Sequence, residues 1–371
     1  MKFITSTFTM RSHFAMTSRN KQLAHVIGLG LIGSSVALAL SKAGWIVTGE
    51  DANASVLGEA LERGIVSAGE LGETHSLVVI ATPAGTVGEI ANRVLSSVKA
   101  NTLLVTDVAG VKDSIVTSIS DRRFLGGHPM AGSELRGFAG ARADLFQGCT
   151  WVLTPTDATP PEVYTALHSI LRELGASVVA ISGHDHDRLV ALASHVPHLL
   201  AGALMNEATK TAEQDPVLLQ LAAGGFRDMT RVAAGDPAIW PDILFENREA
   251  ITSTLDAIEK RIGALRTALD SNDREDIKKT LTTASQARRQ LPGRALSSEN
   301  LAYLRIAIPD QPGVLAEVTK AASDLLVNIY DIEIAHGIEG TGGTLLLAID
   351  SAQRDLFCES LISHGFKVAS E

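Results

Sequence analysis

The 371-residue chain carries 32 Lys and Arg against 42 Asp and Glu, a formal net charge of −10. No basic face can be assembled from it, which argues against a nucleic-acid-binding protein. Cys149 and Cys358 lie far apart and outside any CxxC pattern, which excludes a disulfide framework and a cysteine metal site and fits a reducing, cytoplasmic setting.

A chain of this length holds about two or three domains. Residues 1–21 are rich in Ser and Thr, hold Lys2, Arg11 and Arg19, and have no acid. They are expected to be a disordered lead, or an over-early start ahead of Met10 or Met16, with a transit peptide as the alternative. The longest apolar run, from His25 to Leu40, is too short for a membrane span and contains Gly28, Gly30 and Gly33, so no membrane association is expected.

From residue 22 to residue 183, short apolar runs alternate with amphipathic stretches. The strands predicted are Ala24–Ile27, Trp45–Gly49, Leu77–Ala81, Leu103–Thr106, Trp151–Thr154 and Ser177–Ala180. The helices between them are Ile32–Ala43, Thr86–Ser97 and Glu162–Leu174. That rhythm predicts a parallel sheet covered on both faces. From 184 to 292 no strand is legible. Ile251, Leu255, Ile258, Ile262 and Leu265 recur at steps of three and four on one helix face, and so apolar a helical domain is expected to pair with a second copy. Residues 293–300 read as a linker. Residues 301–371 then run strand (Tyr303–Ile308), helix (Val314–Leu326), strand (Ile329–Ile334), strand (Thr344–Ile349), helix (Ala352–Ser363), strand (Phe366–Ala369), a ferredoxin-like α+β order.

Gly28-Leu29-Gly30-Leu31-Ile32-Gly33 follows the first strand and opens a helix. Glycines at these places allow a tight turn, approach of a pyrophosphate to the backbone, and close helix–strand packing, with the phosphates facing the helix N-terminus. Asp51, 18 residues after Gly33, ends the second strand. A carboxylate there accepts hydrogen bonds from the adenosine ribose and repels a 2′-phosphate, favouring NAD over NADP, with Glu50 as the alternative ligand. Thr82, Pro83 and Asp107 close later strands on the same edge and are expected to border the nicotinamide.

Gly126-Gly-His128-Pro-Met-Ala-Gly-Ser133-Glu134 places a histidine, stiffened by Pro129, before a glycine loop. A neutral imidazole suits proton removal from an alcohol as hydride leaves, although a His-Pro loop alone is more often structural than catalytic. His184, His186, His195 and His198 lie within fifteen residues, but no cysteine joins them, and Pro197 is expected to break the helical register between the last two. Metal ligation is therefore not expected, and helix capping by Asp185 or Asp187 is the plainer reading. Gly224-Gly-Phe-Arg227-Asp228-Met-Thr-Arg231, followed by Trp240, offers guanidinium groups to a substrate carboxylate, or else routine Asp–Arg pairing at a helix end.

Taken in order, GLGLIG, VVIATP, VTDVAGVK, GGHPMAGSE, SHVPH and GGFRDMTR resemble the prephenate dehydrogenase family from about Leu23 to Leu291. The resemblance implies an α/β Rossmann-type domain, an all-α dimerisation domain, NAD as cofactor, and oxidative decarboxylation of prephenate to 4-hydroxyphenylpyruvate in tyrosine biosynthesis. It implies that His128 polarises the ring hydroxyl and that Glu134 stands near the mouth of the site. His198, Arg231 and Trp240, with His195, Gly224 and Asp228 beside them, match substrate-contacting positions, with a dimer mate helping to complete the site. The family often has serine in D-x-G-S-x-K. Here the run is Asp107-Val-Ala-Gly110-Val-Lys112, which leaves Ser133, a water or nothing to support His128.

The tail resembles an ACT domain, through Ile308-Pro-Asp310-Gln-Pro-Gly313-Val314-Leu315 and Asn328-Ile329-Tyr. That implies an amino-acid effector, with tyrosine the natural candidate, against a purely structural tail as the alternative. Arogenate dehydrogenase is the nearest rival reading. A regulator that binds NAD and an amino acid without turnover is the rival outside enzymes. The β-hydroxyacid dehydrogenases, which share the two-domain plan, need a K-x-x-N run that the helical region lacks.

Overall fold

The computed structural model describes residues 22–131, 137–289, 301–309, 311–336 and 343–370. Ser133, Glu134, Asp310 and the expected lead and linker lie outside the described residues. The chain folds into two compact units divided after Ile258.

In the first unit, β1 (Leu23–Ile27), α1 (Leu31–Lys42), β2 (Ile46–Glu50), α2 (Ala54–Glu62), β3 (Leu77–Ile80), α3 (Ala84–Ser97), β4 (Leu104–Asp107) and α4 (Asp113–Ser118) follow in order. The four strands form a parallel sheet in the order β2-β1-β3-β4. Its faces are covered separately. Val36, Ala37 and Leu40 of α1 pack with Val26 and Val79, while Val87, Ala91 and Val94 of α3 pack with Val78 and Ile80. Burial on both faces explains why these strands are apolar throughout instead of alternating.

Beyond β4 come β5 (Gly126–Pro129), α5 (Gly137–Gly140), β6 (Thr150–Thr154), α6 (Pro161–Glu173) and β7 (Ser177–Ala180). Here the structure corrects the all-parallel expectation, because β5 and β6 are antiparallel while β6 and β7 are parallel. A parallel crossover needs a substantial helix, as α6 supplies between β6 and β7; α5 has only four residues. Parallel pairing of Val105 with Phe124 ties β4 to the residues leading into β5. This brings the start of the His128 strand against the carboxyl end of the nucleotide-binding sheet.

The helical part contains α7 (Gly183–Val190), a π-helical turn (Ala191–His195), α8 (Val196–Ala212), α9 (Val217–Leu221), α10 (Gly224–Thr230), two 3-10 turns (Arg231–Ala234 and Pro237–Ile239), α11 (Trp240–Glu246) and α12 (Arg248–Asp270). Pro197 does not break this helix. The Val196 N–H reaches back five residues to the Ala191 carbonyl, so the ladder is already offset where the proline enters the first turn of α8. Read as one continuous element, Gly183–Ala212 is long and apolar enough to cross a membrane by length and composition. In the fold, Ala191 and Val196 pack with Ile251, Leu244 and Leu255. Leu192, Leu200 and Leu204 of the same helix stay exposed, as do Met229 and Phe245.

The second unit adds α13 (Arg274–Arg289), β8 (Leu301–Ile308), α14 (Val314–Asp324), β9 (Ile329–His336), β10 (Gly343–Asp350), α15 (Arg354–Ser363) and β11 (Lys367–Ser370). Its sheet is antiparallel throughout, in the order β11-β8-β10-β9. Ala302, Leu304, Ile306 and Ile308 alternate inward to meet Val318, Ala322, Phe357 and Leu361 of the two helices. This is the βαββαβ order expected. The register also separates two expected effector elements. Ile308 and His336 both pair with Gly343 at one end of the sheet, whereas Ile329 and Ala302 pair with Ile349 at the other. The Gly313–Leu315 turn follows the first end, and Asn328 with Ile329 belongs to the second, about 20 Å away at the usual strand rise.

Candidate active site

The glycine loop has the geometry its composition calls for. Gly28 has φ +89°, and a Cβ there would lie 2.6 Å from the Ala81 carbonyl oxygen. A Cβ on Gly33 would lie 1.9 Å from the Gly28 oxygen, so only glycine lets α1 approach β1 this closely. Around Gly30, by contrast, no atom of the described residues stands within 4 Å of where a Cβ would be. Gly30 caps α1 with no side chain bonded to the first turn, which leaves amides and the positive dipole end open to an anion. Leu29 N–H donates to the Asp51 carboxylate at 2.8 Å, and Asn53 N–H does the same to its other oxygen. Glu50 is engaged instead by Arg93 at 3.0 Å. Asp51, not Glu50, is thus the carboxylate beside the loop, and these residues fit a dinucleotide.

Thr82 and Pro83 sit where β3 gives way to α3, with Pro83 as the residue before the helix. Asp107 closes β4 on the same edge of the sheet. It is fully buried and ion-paired with the fully buried Lys112, and it accepts from Ala109 N–H at 2.9 Å and Gly127 N–H at 3.1 Å. Its oxygens are committed to holding the 107–112 loop against β5. Burial pulls the Lys112 ammonium below its ordinary range, and the Asp107 carboxylate works against that pull.

His128 projects from β5 into the same corner. Its Nδ1 lies 2.8 Å from Nε2 of His186, and Nδ1 of His186 lies 2.7 Å from Asp187 Oδ1. The Asp187 oxygens also accept from Lys112 N–H at 2.8 Å and Asp113 N–H at 2.9 Å. Asp187 therefore caps α4 across the chain, while Ser182 and Asp185 cap α7 itself. Burial holds the His128 imidazole well below its ordinary pKa, assisted by His186, Lys112 and His195. The ring is consequently neutral at physiological pH. A Cβ at Gly110 would sit 3.8 Å from His128 Nε2 and 3.9 Å from the Ile243 methyl, so residue 110 flanks the reactive edge of the ring without filling it.

Asn247 joins this group to the next, since its amide Nδ2 donates to the Asp187 carbonyl at 2.8 Å and lies 3.2 Å from Nδ1 of His195. His195 is buried, and desolvation brings its pKa down to about 4. Its ring meets Trp240 edge-on at 6.3 Å, and Trp240 stacks on His198 with centroids 3.6 Å apart. Partial burial also lowers the His198 pKa. The Trp240 Nε1 is buried and, among the described residues, has no hydrogen-bond partner. Arg231 opens the 3-10 turn that packs on α8. Gly224 and Asp228 lie exposed on α10, and no described contact brings them to this cluster.

The structure therefore brings together His128, His195, His198 and Trp240 of the expected set. It adds His186, Asp187, Asn247 and Lys112. The run His184-Asp-His186-Asp187 was the available signal for the first two, which suggested only capping or metal. Nothing in sequence spacing marked Asn247.

A glycine-rich dinucleotide loop joined to a partly buried neutral histidine, at the seam of an α/β and a helical region, defines an NAD-dependent dehydrogenase of the Rossmann class. Residues 36–180 match the prephenate dehydrogenase nucleotide-binding domain, and residues 182–283 match the prephenate dehydrogenase dimerization domain. The chain belongs to the prephenate dehydrogenase family. It is 32% identical over 339 residues to prephenate dehydrogenase of Bacillus subtilis (strain 168), covering 87% of this chain and 91% of that protein. Among solved structures, it resembles prephenate dehydrogenase from Aquifex aeolicus in complex with hydroxyphenyl propionate and NAD+, at TM-score 0.68 and 28% identity, over 74% of this chain and 100% of that one. It also resembles Synechocystis arogenate dehydrogenase, at TM-score 0.62 and 31% identity, over 72% and 99%.

Proposed function

We propose that the chain catalyses the NAD-dependent oxidative decarboxylation of prephenate to 4-hydroxyphenylpyruvate. The observation that carries this reading is His128, held neutral beside the vacant flank of Gly110, with His195, Trp240 and His198 extending from it. NAD supplies the hydride acceptor when bound. His128 takes the ring hydroxyl proton at Nε2 while hydride leaves the same carbon. The electron pair of the bond to the ring carboxylate then enters the ring, carbon dioxide departs, and the oxygen regains its proton as the ring becomes aromatic. No separate base is needed for that second step. Trp240 Nε1 and Arg231 offer donors to substrate carboxylates, with Glu134 expected near the mouth and Ser133 a candidate to support His128. Thr82 and Pro83 are proposed to border the nicotinamide.

The exposed Leu192, Leu200 and Leu204 support dimerisation through the helical part, and Gly224 and Asp228 are proposed to act across that interface. The C-terminal sheet is proposed to be an ACT-type sensor of tyrosine. Its effector elements lie at opposite ends of one sheet, so a complete site there needs a second copy. Arogenate is the second substrate reading, favoured by the likeness to the Synechocystis enzyme.

The deciding experiment follows NADH at 340 nm with prephenate or arogenate, for the wild type and His128→Asn. Prephenate turnover, lost in the variant while NAD still binds, is expected. Turnover of arogenate alone would reassign the substrate, and turnover of neither would overturn the enzymatic reading.

A further inference from the structure

We propose that His186 and Asp187 are positioning residues that fix the tautomer of His128 and share the proton it carries during the reaction, a role that rests on the reading above. The assignment follows from who can donate. The carboxylate of Asp187 only accepts, so Nδ1 of His186 must carry the hydrogen in their 2.7 Å contact. In this proposal that is the only hydrogen His186 carries, so its Nε2 is bare. Across the 2.8 Å contact the hydrogen must come from Nδ1 of His128. That leaves Nε2 of His128 unprotonated, and this is the edge that Gly110 flanks. Among the described residues no other side chain hydrogen-bonds the His128 ring, so the dyad alone sets its tautomer.

The same line can move charge. When the substrate O–H bond breaks, its proton joins Nε2 of His128, and the Nδ1 proton can pass to Nε2 of His186. His128 is then neutral again, and the positive charge rests on His186 beside the Asp187 carboxylate. Both transfers reverse when the oxygen of the aromatic product takes its proton back. The titratable groups facing His128 are Lys112, already paired with Asp107, then His195 from the π turn, and the His186–Asp187 pair from α7. Only the last offers a carboxylate in line with the ring. Asp187 is itself held by the Lys112 and Asp113 amides and Asn247, so the dyad is rigid before substrate arrives.

Nitrogen-15 NMR of the histidine side chains in the full-length protein without ligand reads the tautomer directly. A protonated Nδ1 and bare Nε2 on His128 is expected; the opposite pattern would overturn the proposal. His186→Gln should lower kcat about 10- to 100-fold, leave the Kd for NAD and the KM for substrate within about twofold, and turn a curved proton inventory linear. Gly110→Ser in that background, which supplies a hydroxyl beside Nε2, should restore part of the loss. A His186→Gln variant that keeps its kcat and its curved inventory sinks the relay. If the wild type turns over neither substrate, the reaction reading fails, while the NMR result still decides the tautomer.

Discussion

The Leu29 amide and the Asp51 carboxylate, 2.8 Å apart, bind the glycine loop to the end of β2. The contact fixes the carboxylate beside the loop, where it is proposed to meet the adenosine ribose. Asp51→Asn should therefore weaken NAD binding about 10- to 30-fold, the scale of a charge-assisted hydrogen bond lost. It should also narrow the preference for NAD over NADP, because the charge that repels a 2′-phosphate is gone. Fluorescence titration with both cofactors checks this; an unchanged ratio would return the role to Glu50.

Lys112 and Asp107 form an ion pair with no exposure on either side. Lys112→Met alone strands a buried carboxylate and should cost about 3–5 kcal/mol. Lys112→Met with Asp107→Asn should recover much of that, and urea unfolding of the two variants measures the difference. Equal losses would mean that each residue acts through separate contacts.

Two buried histidines, His25 and His195, each have a folded pKa of about 4 against 6.5 for an unhindered side chain, both chiefly through desolvation. Among the described residues His25 Nε2 has no hydrogen-bond partner, and Glu50 at 3.9 Å is too distant to offset burial. The unfolded chain binds more protons between these values. Stability is therefore fully present above about pH 6.5 and falls toward pH 4, by up to about 1.4 kcal/mol per pH unit for each histidine. His25→Gln should flatten the acid limb of a Tm-versus-pH curve by about one proton. A limb of unchanged slope would place the acid sensitivity elsewhere.

Trp240 combines a face stacked on His198 with a buried, unpartnered indole N–H. Trp240→Phe keeps the stack and removes the donor. It should raise KM for the substrate about tenfold with kcat little changed, if that donor meets a substrate oxygen. Trp240→Ala should lose both. A Phe variant with wild-type KM would reduce the residue to packing.

Leu200 and Leu204 are exposed at adjacent turns of α8. Leu200→Asp should shift the protein from dimer to monomer in light scattering if that face is the interface. A dimer of unchanged mass would move the interface off this face.

The sheet and its loop were legible because burial on both faces makes strands apolar, and because Gly28 and Gly33 meet neighbours no side chain would tolerate. The antiparallel β5–β6 pair was not legible, since a strand of four residues with two glycines carries no periodicity to read. Asp107 looked like a ligand at a strand end; only the fold reveals that Lys112 is buried against it. His186 and Asp187 were visible as residue types, but their partners lie 58 and 75 positions earlier, at His128 and Lys112. Local spacing holds no record of such distances.

The π turn at Ala191–His195 makes one helix serve two masters. One extra residue in a turn rotates everything after it by about 100°. The portion before it points His186 and Asp187 at the nucleotide-binding half, and the portion after it points His198 at Trp240. A helical wheel drawn straight through would set His198 about 120° from His186, and the extra residue brings it back to about 20°. The insertion thus acts as a phase shifter, and the catalytic and substrate-facing halves of the helix are tuned against each other by a single residue of chain length.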